Sequence, residues 1–207
     1  MPAKQKKIVI IDGNALIHRA FHALPPLTKK DGTLVNAVYG FTTILLRVLK
    51  DINPEYVAVT FDLKGPTFRH EEYKDYKATR KKQPDELYDQ IPIIKDLVEA
   101  FNMPIYEEEG FEADDVIGTI TRNKDLINKK IKSVIVTGDM DALQLVNDNT
   151  EVYTMRKGIA DTITYDEKAV KEKYDSLGPD QMIDYKALRG DPSDNIPGVR
   201  GIGDKGA

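Results

Sequence analysis

The chain of 207 residues contains no cysteine. Disulfides, zinc–thiolate centres and cysteine nucleophiles are therefore excluded, which fits a reducing cytoplasm. Histidine is scarce: His18, His22 and His70 are the only three. None stands beside an acid at a ligand-like spacing, and all three read as ordinary surface or core residues. No apolar run reaches the ~20 residues of a membrane span. The basic start Met1-Pro2-Ala3-Lys4-Gln5-Lys6-Lys7 is followed only by Ile8-Val9-Ile10-Ile11 before Asp12, too short an apolar core for a signal peptide. There is no Gly-x-x-x-x-Gly-Lys-Ser/Thr loop, so P-loop nucleotide hydrolysis has no support. A serine triad, an internal repeat and a low-complexity segment are absent as well.

What is present is charge, unevenly placed. The formal net charge of −4 argues weakly against a polyanionic partner. Between Lys64 and Lys82, however, seven basic residues (Lys64, Arg69, Lys74, Lys77, Arg80, Lys81, Lys82) face three acids (Glu71, Glu72, Asp75). A basic segment on an acidic body suits a polyanion held at its backbone, with metals shielding the acidic centre.

The length gives one or two domains and ample room for a core. Strands are expected at 7–11, 56–61, 103–107 and 133–137, with a hairpin of 151–155 and 162–165 around Lys157-Gly158. Helices are expected at 15–23, 36–51, 84–101, 114–124, 141–146, 166–174 and 179–188. The helix over 84–101 should be kinked or split by Pro92. Residues 63–83 lack an apolar period and read as an exposed, mobile excursion with some helix. Strands alternating with helices predict an α/β fold: a mostly parallel central sheet with helices on both faces. Gly13 is expected for a tight turn after the first strand.

The acids are the most informative residues. Glu112-Ala113-Asp114-Asp115 sets three carboxylates directly before the apolar run of a helix. A helix start favours one acid near its positive end and does not require three; crowding them raises their pKa values unless positive charge intervenes. Alone, this stretch leaves a metal site and an over-decorated helix cap about equally open. But Asp12 and Asp62 each end a predicted strand, and Asp139 and Asp141 follow a third. In such sheets ligands bind outside the carboxyl ends of the strands, so these acids should reach one edge. Carboxylates without His or Cys select hard cations, Mg²⁺ or Mn²⁺. Two ions roughly 4 Å apart suit an in-line displacement at phosphorus.

Asp12-Gly13-Asn14, Asn36-Ala37-Val38-Tyr39-Gly40-Phe41, Phe61-Asp62, Tyr76-Lys77, Glu112-Ala113-Asp114-Asp115, Thr137-Gly138-Asp139-Met140-Asp141 and Gly190-Asp191-Pro192-Ser193-Asp194-Asn195-Ile196-Pro197-Gly198 resemble, in order, the 5'-nuclease domain of bacterial DNA polymerase I. This is the bacterial branch of the flap-endonuclease family. The resemblance runs from about Ile8 to Ala207. It implies a PIN-like domain over 1–190 with a helical arch at about 63–84, followed at 191–207 by the start of a helix-three-turn-helix motif. It also implies a two-metal 5'-3' exonuclease and flap endonuclease of the bacterial cytoplasm and nucleoid, acting as a monomer on DNA flaps, nicks, branched junctions or RNA primers. Carried over, the metal ligands are Asp12, Asp62, Glu112, Asp114, Asp115, Asp139, Asp141, Asp191 and Asp194. Lys77 and Arg80 would grip and polarise the scissile phosphate. Tyr76, Lys81 and Lys82 of the arch, and Gly198, Gly201, Gly203 and Lys205 of the terminal hairpin, would contact DNA. Backbone carbonyls of 198–206 would hold a monovalent cation, K⁺.

The resemblance breaks at Ala207, where the helix after the hairpin and any polymerase domain are missing, and the terminal segment is expected to have little to pack against. Two other functions compete. A PIN-like single-strand ribonuclease would share the sheet-edge acids without needing the basic excursion or the glycine hairpin. A non-catalytic branched-DNA binding module would follow if the acids failed to assemble.

Overall fold

The computed structural model describes residues 5–207; Met1 to Lys4 of the basic start lie outside them. Six strands form one sheet: β1 (Lys7–Asp12), β2 (Tyr56–Thr60), β3 (Ile105–Tyr106), β4 (Lys132–Val136), β5 (Thr150–Lys157) and β6 (Asp161–Tyr165). The order is β3-β2-β1-β4-β5-β6. All neighbours are parallel except the β5–β6 hairpin. The central strands β1 and β4 are runs of Val and Ile because both of their faces are covered. Val9, Ile11, Val134 and Val136 join one core cluster with Phe41 and Leu45; Ile10 and Ile135 join a second with Ile117 and Leu143.

The helices are α1 (Gly13–Ala23), α2 (Asn36–Ile52), α3 (Phe68–Glu72), α4 (Asp85–Tyr88), α5 (Gln90–Ala100), α6 (Ala113–Thr121), α7 (Lys124–Asn128), α8 (Glu167–Lys173) and α9 (Met182–Arg189). A short antiparallel ladder, β7 (Gly190–Asp191) with β8 (Ile196–Pro197), follows α9. Among the described residues no helix is long and apolar enough to cross a membrane.

Several boundaries differ from the sequence expectation. The helix over 84–101 is split at Asp89, one turn ahead of Pro92, which lies in the first turn of α5 where a missing N–H costs nothing. The helix from 114 ends at Thr121 rather than 124, because Asn123 accepts from Asp125 N at 2.9 Å and caps a new helix, α7. The helix at 141–146 is a 3-10 turn, Met140–Leu145. Gly13 opens α1, and its lack of a side chain serves close approach: a Cβ there would lie 2.3 Å from the Phe61 ring.

Candidate active site

Parallel pairing fixes where the acids arrive. Asp12 is the last residue of β1 and stands opposite Thr60, so Asp62 leaves β2 beside it. Asp139 follows β4 on the other flank of β1. Asp12 Oδ1 accepts from Ala15 N at 3.0 Å, capping α1, and its Oδ2 accepts from Thr137 Oγ1 at 2.7 Å. The same Thr137 hydroxyl accepts from Asp139 N at 3.0 Å, and Asp139 Oδ1 accepts from Asp141 N at 2.9 Å. One chain of hydrogen bonds thus orders three of the acids. Asp62 Oδ1 takes Ala113 N at 2.7 Å and ties the end of β2 to the start of α6.

Eight of the nine predicted ligands, Asp12, Asp62, Glu112, Asp114, Asp139, Asp141, Asp191 and Asp194, line one cavity of about 780 Å³. Asp115 does not. Its carboxylate caps Glu112 N at 2.9 Å and forms a two-point pair with Arg69 at 2.7 and 2.8 Å. With Asp114 and Asp141 it lines a smaller cavity of about 260 Å³ beside the first. Its pair with Arg69 ties the arch to the start of α6.

The arch covers this cavity. Most of residues 63–83 are exposed, as expected, with a short helix at α3; Tyr76 is buried and donates to Glu112 Oε2 at 3.0 Å and Asp194 Oδ2 at 3.2 Å. Lys77 Nζ donates to Glu112 Oε1 at 2.7 Å, and Arg80 pairs with Asp194. Lys81 and Lys82 are exposed and do not line the cavity; Lys82 pairs with Asp85 on the surface. Lys186 of α9, which sequence reasoning missed, bridges Asp141 (2.6 Å) and Asp191 (2.8 Å). Its only sequence signal is its place one turn and a half before Asp191.

Among the described residues no three carboxylates close around one point as an ion's ligands would. The reason is visible: Lys77, Arg80 and Lys186 occupy the oxygens of Glu112, Asp194, Asp141 and Asp191. The inner acids have no such partner. Burial, with a minor contribution from Asp62 and Asp139, raises Asp12 to about 6 against its two hydrogen bonds. Burial, then repulsion from Asp12, Asp139, Asp62 and Glu112, raises Asp114 to about 8. Burial opposes ionisation of Asp191, yet Lys186 and Ser193 hold it down to about 2. An all-oxygen donor set whose innermost members lack positive charge fits hard divalent cations.

The terminal glycines serve two ends. Gly190 has φ 81°, and a Cβ on Gly198 would meet the Arg189 carbonyl carbon at 2.3 Å, so this pair permits the tight ladder that carries Asp191 and Asp194. Gly201 and Gly203 border open space, and none of Gly198, Gly201, Gly203 or Lys205 lines the cavity. As expected, residues 198–207 bury little and none is fully buried; the segment is tied back only at Asp204, which accepts from Tyr185 OH at 3.1 Å and pairs with Arg189 at 2.6 Å.

Residues 7–175 match the family model of the 5'-3' exonuclease N-terminal resolvase-like domain, and residues 177–207 match that of the 5'-3' exonuclease C-terminal SAM fold. The DNA polymerase I of Bacillus subtilis is 47% identical over 99% of this chain, which spans 23% of that protein's length. The T5 5'-exonuclease, solved with bound zinc ions, superposes with a TM-score of 0.74 at 25% identity over 97% of this chain and 73% of its own. A T5 flap endonuclease in a complex with DNA and metal ions gives the same TM-score at 24% identity over 97% of this chain and 72% of its own. The architecture is the PIN-like 5'-exonuclease fold, and with one model covering 7–175 and the other the remainder, the chain belongs to the 5'-3' exonuclease family.

Proposed function

We propose that this chain is a structure-specific, divalent-metal-dependent 5' nuclease cutting DNA phosphodiesters at flaps, nicks and branch points. The observation that carries the reading is a single cavity lined by eight of the nine predicted carboxylate ligands and roofed by a basic arch. Asp12, Asp62, Glu112, Asp114, Asp139, Asp141, Asp191 and Asp194 are the donor set for two Mg²⁺ or Mn²⁺ ions. Bound there, the ions supply a nucleophilic hydroxide and stabilise the leaving oxygen. The relatives solved with metal ions and with DNA support this reading.

The chain's own residues do the rest. Lys77 and Arg80 stand at the mouth on long, rotatable side chains. They would hold the scissile phosphate, Arg80 with a planar fork and Lys77 as a point charge. Lys186 would balance the charge of Asp141 and Asp191 beside them. Thr137 keeps Asp12 and Asp139 aligned throughout, since its hydroxyl bonds both. The turns at 198–206 present backbone groups for a duplex phosphate and carbonyls for K⁺. We take residues 1–190 as the catalytic unit and 191–207 as the start of the duplex grip.

Cleavage of a 5'-flap DNA, with linear single-stranded RNA as comparator, tests the reading. Flap cleavage should appear with Mg²⁺ or Mn²⁺ and vanish in chelator, with the RNA spared. Cleavage persisting in chelator would sink it; preference for the RNA would make the chain a PIN-like ribonuclease, and duplex binding without cleavage a binding module.

A further inference from the structure

The tip of the arch, residues 73–80, has no regular secondary structure to fix its position. Its internal bonds are local turns: Tyr76 N to Tyr73 O, Ala78 N to Asp75 O and Arg80 N to Lys77 O. Besides the bonds of Tyr76 and Lys77 to Glu112, the turn between β7 and β8 holds it. Tyr76 and Arg80 bond the Asp194 carboxylate, Lys77 N donates to Asp194 O at 2.9 Å, and Arg80 Nε donates to Ser193 O at 3.3 Å. Asn195 adds two contacts: its side-chain Nδ2 donates to Asp75 O at 2.8 Å, and its carbonyl accepts from Tyr73 OH at 3.2 Å.

These contacts differ in what happens when the site is loaded. Asp194 is a candidate metal ligand and Arg80 a candidate phosphate clamp, so their mutual bond competes with function. The Asn195 amide competes with nothing: it is neither a ligand nor a charge, and it bonds backbone. Its φ of 59° is a left-handed conformation that Asn tolerates better than most residues. That conformation lies in the same turn that presents Asp194.

We propose that Asn195 is a positioning residue that clasps the arch to the Asp191–Asp194 turn, so that Lys77 and Arg80 stay over the cavity when Asp194 turns to a metal ion. The inference rests on the nuclease reading for its catalytic half; the clasp itself is a property of the free protein. It also couples the two halves of the site, since the hairpin that supplies two carboxylates sets the height of the arch.

The test uses Asn195→Gly, which keeps the left-handed backbone and removes the amide, and Asn195→Asp, which keeps the shape but cannot donate. Hydrogen exchange of the metal-free, DNA-free proteins should show faster exchange at residues 76–80 in both variants, with β1 and β4 unchanged. On 5'-flap DNA with Mg²⁺, kcat should fall about ten-fold, the scale of one ordinary hydrogen bond, while duplex Kd and Tm stay near the parent's. In a Lys77→Ala background, Asn195→Gly should cost much less than in the parent, because a residue acting through Lys77 has less to position once it is gone. Parental exchange at 76–80 overturns the clasp. A parental kcat, a loss confined to Kd, or full additivity with Lys77→Ala overturns the positioning role. A parent that cleaves nothing overturns the nuclease reading and the catalytic half with it, while the exchange result still decides the clasp.

Discussion

The inner and outer halves of the acidic cavity contain the same side chains in opposite electrostatic states. At the sheet edge, Asp12 is buried and Asp114 opens onto the cavity; neither has a cation within bonding distance, and they are driven up to about 6 and about 8. At the rim, Asp191 is held down to about 2 by Lys186 and Ser193 against its burial, and Asp115 is lowered by Arg69 against its own. Asp141 lies between: burial raises it although Lys186 touches it. The rim neutralises itself with residues that can swing away. Asp12 and Asp114 have no such partner. A bound cation is the simplest source of the missing charge.

Exchanging one carboxylate for an amide in each half breaks the comparison most sharply. Asp114→Asn should lower flap cleavage roughly 100-fold or more, the scale of removing one preorganised charge at a reacting centre. Yet the same change should raise the metal-free Tm at alkaline pH, because it removes a charge repelled by Asp12, Asp139, Asp62 and Glu112. Asp191→Asn should do the reverse to stability. A depressed acid contributes stability above its unfolded value that disappears as pH falls through about 2. Removing it at neutral pH therefore lowers Tm and leaves Lys186 half paired. Rates on flap DNA and melting curves in chelator check both; a fall in Tm for both variants would show that the two halves do not differ.

Much of this cavity was legible because strand ends are legible. The runs before Asp12, Asp62 and Asp139 are short, apolar and β-branched, and parallel pairing then delivers the acids to one edge without further information. Asp191 and Asp194 were not legible that way: in composition they are a turn, Asp191 Oδ1 does accept from Ser193 N at 2.9 Å, and only the family resemblance set them beside the metals. Two features escaped. The two-point pair of Asp115 with Arg69 joins residues 46 apart in the chain, which no local pattern shows. The bridging of Lys186 depends on the angle at which α9 crosses the site, a tertiary property. The arch was legible as an exposed basic insertion, but the inward turn of Tyr76 was not, because two carboxylates far along the chain hold it.

A smaller effect isolates the interior alone. A raised acid stabilises the fold below its unfolded value, and that stabilisation is lost as pH rises through the folded one. Asp12 loses it through about 6 and Asp114 through about 8, both starting from 3.8. His18, lowered chiefly by burial, works in the opposite direction below about 6.5. Between pH 7 and 9 Asp114 therefore dominates. The metal-free protein should lose stability over that interval, read as a falling Tm, and the exposure of Asp114 to solvent keeps the fall small. Saturating Mg²⁺ should raise Tm and flatten the slope by mass action, and Asp114→Asn should flatten it without metal. A metal-free Tm constant from pH 7 to 9 would mean that the interior acids share a proton or a cation differently from the geometry described.

The smallest effect belongs outside both halves. Lys82 was expected to contact DNA, but it projects from the outer end of the arch and meets Asp85 at 2.5 Å with both side chains about three-quarters exposed, 73% and 75%. Exposed pairs of this kind contribute little to stability, so Lys82→Ala should leave Tm unchanged. It should also leave kcat within two-fold, because no atom of Lys82 borders the cavity. Its one possible effect is on encounter: a phosphate contact at Lys82 would lower duplex affinity and reduce the slope of log Kd against log salt by about one, uniformly across substrates. Titration of a fluorescent duplex at several salt concentrations separates the cases. An unchanged slope leaves the outer arch as solvated charge, while a drop in kcat with an unchanged slope would place Lys82 among the residues that act on the phosphate and extend the functional rim beyond Arg80.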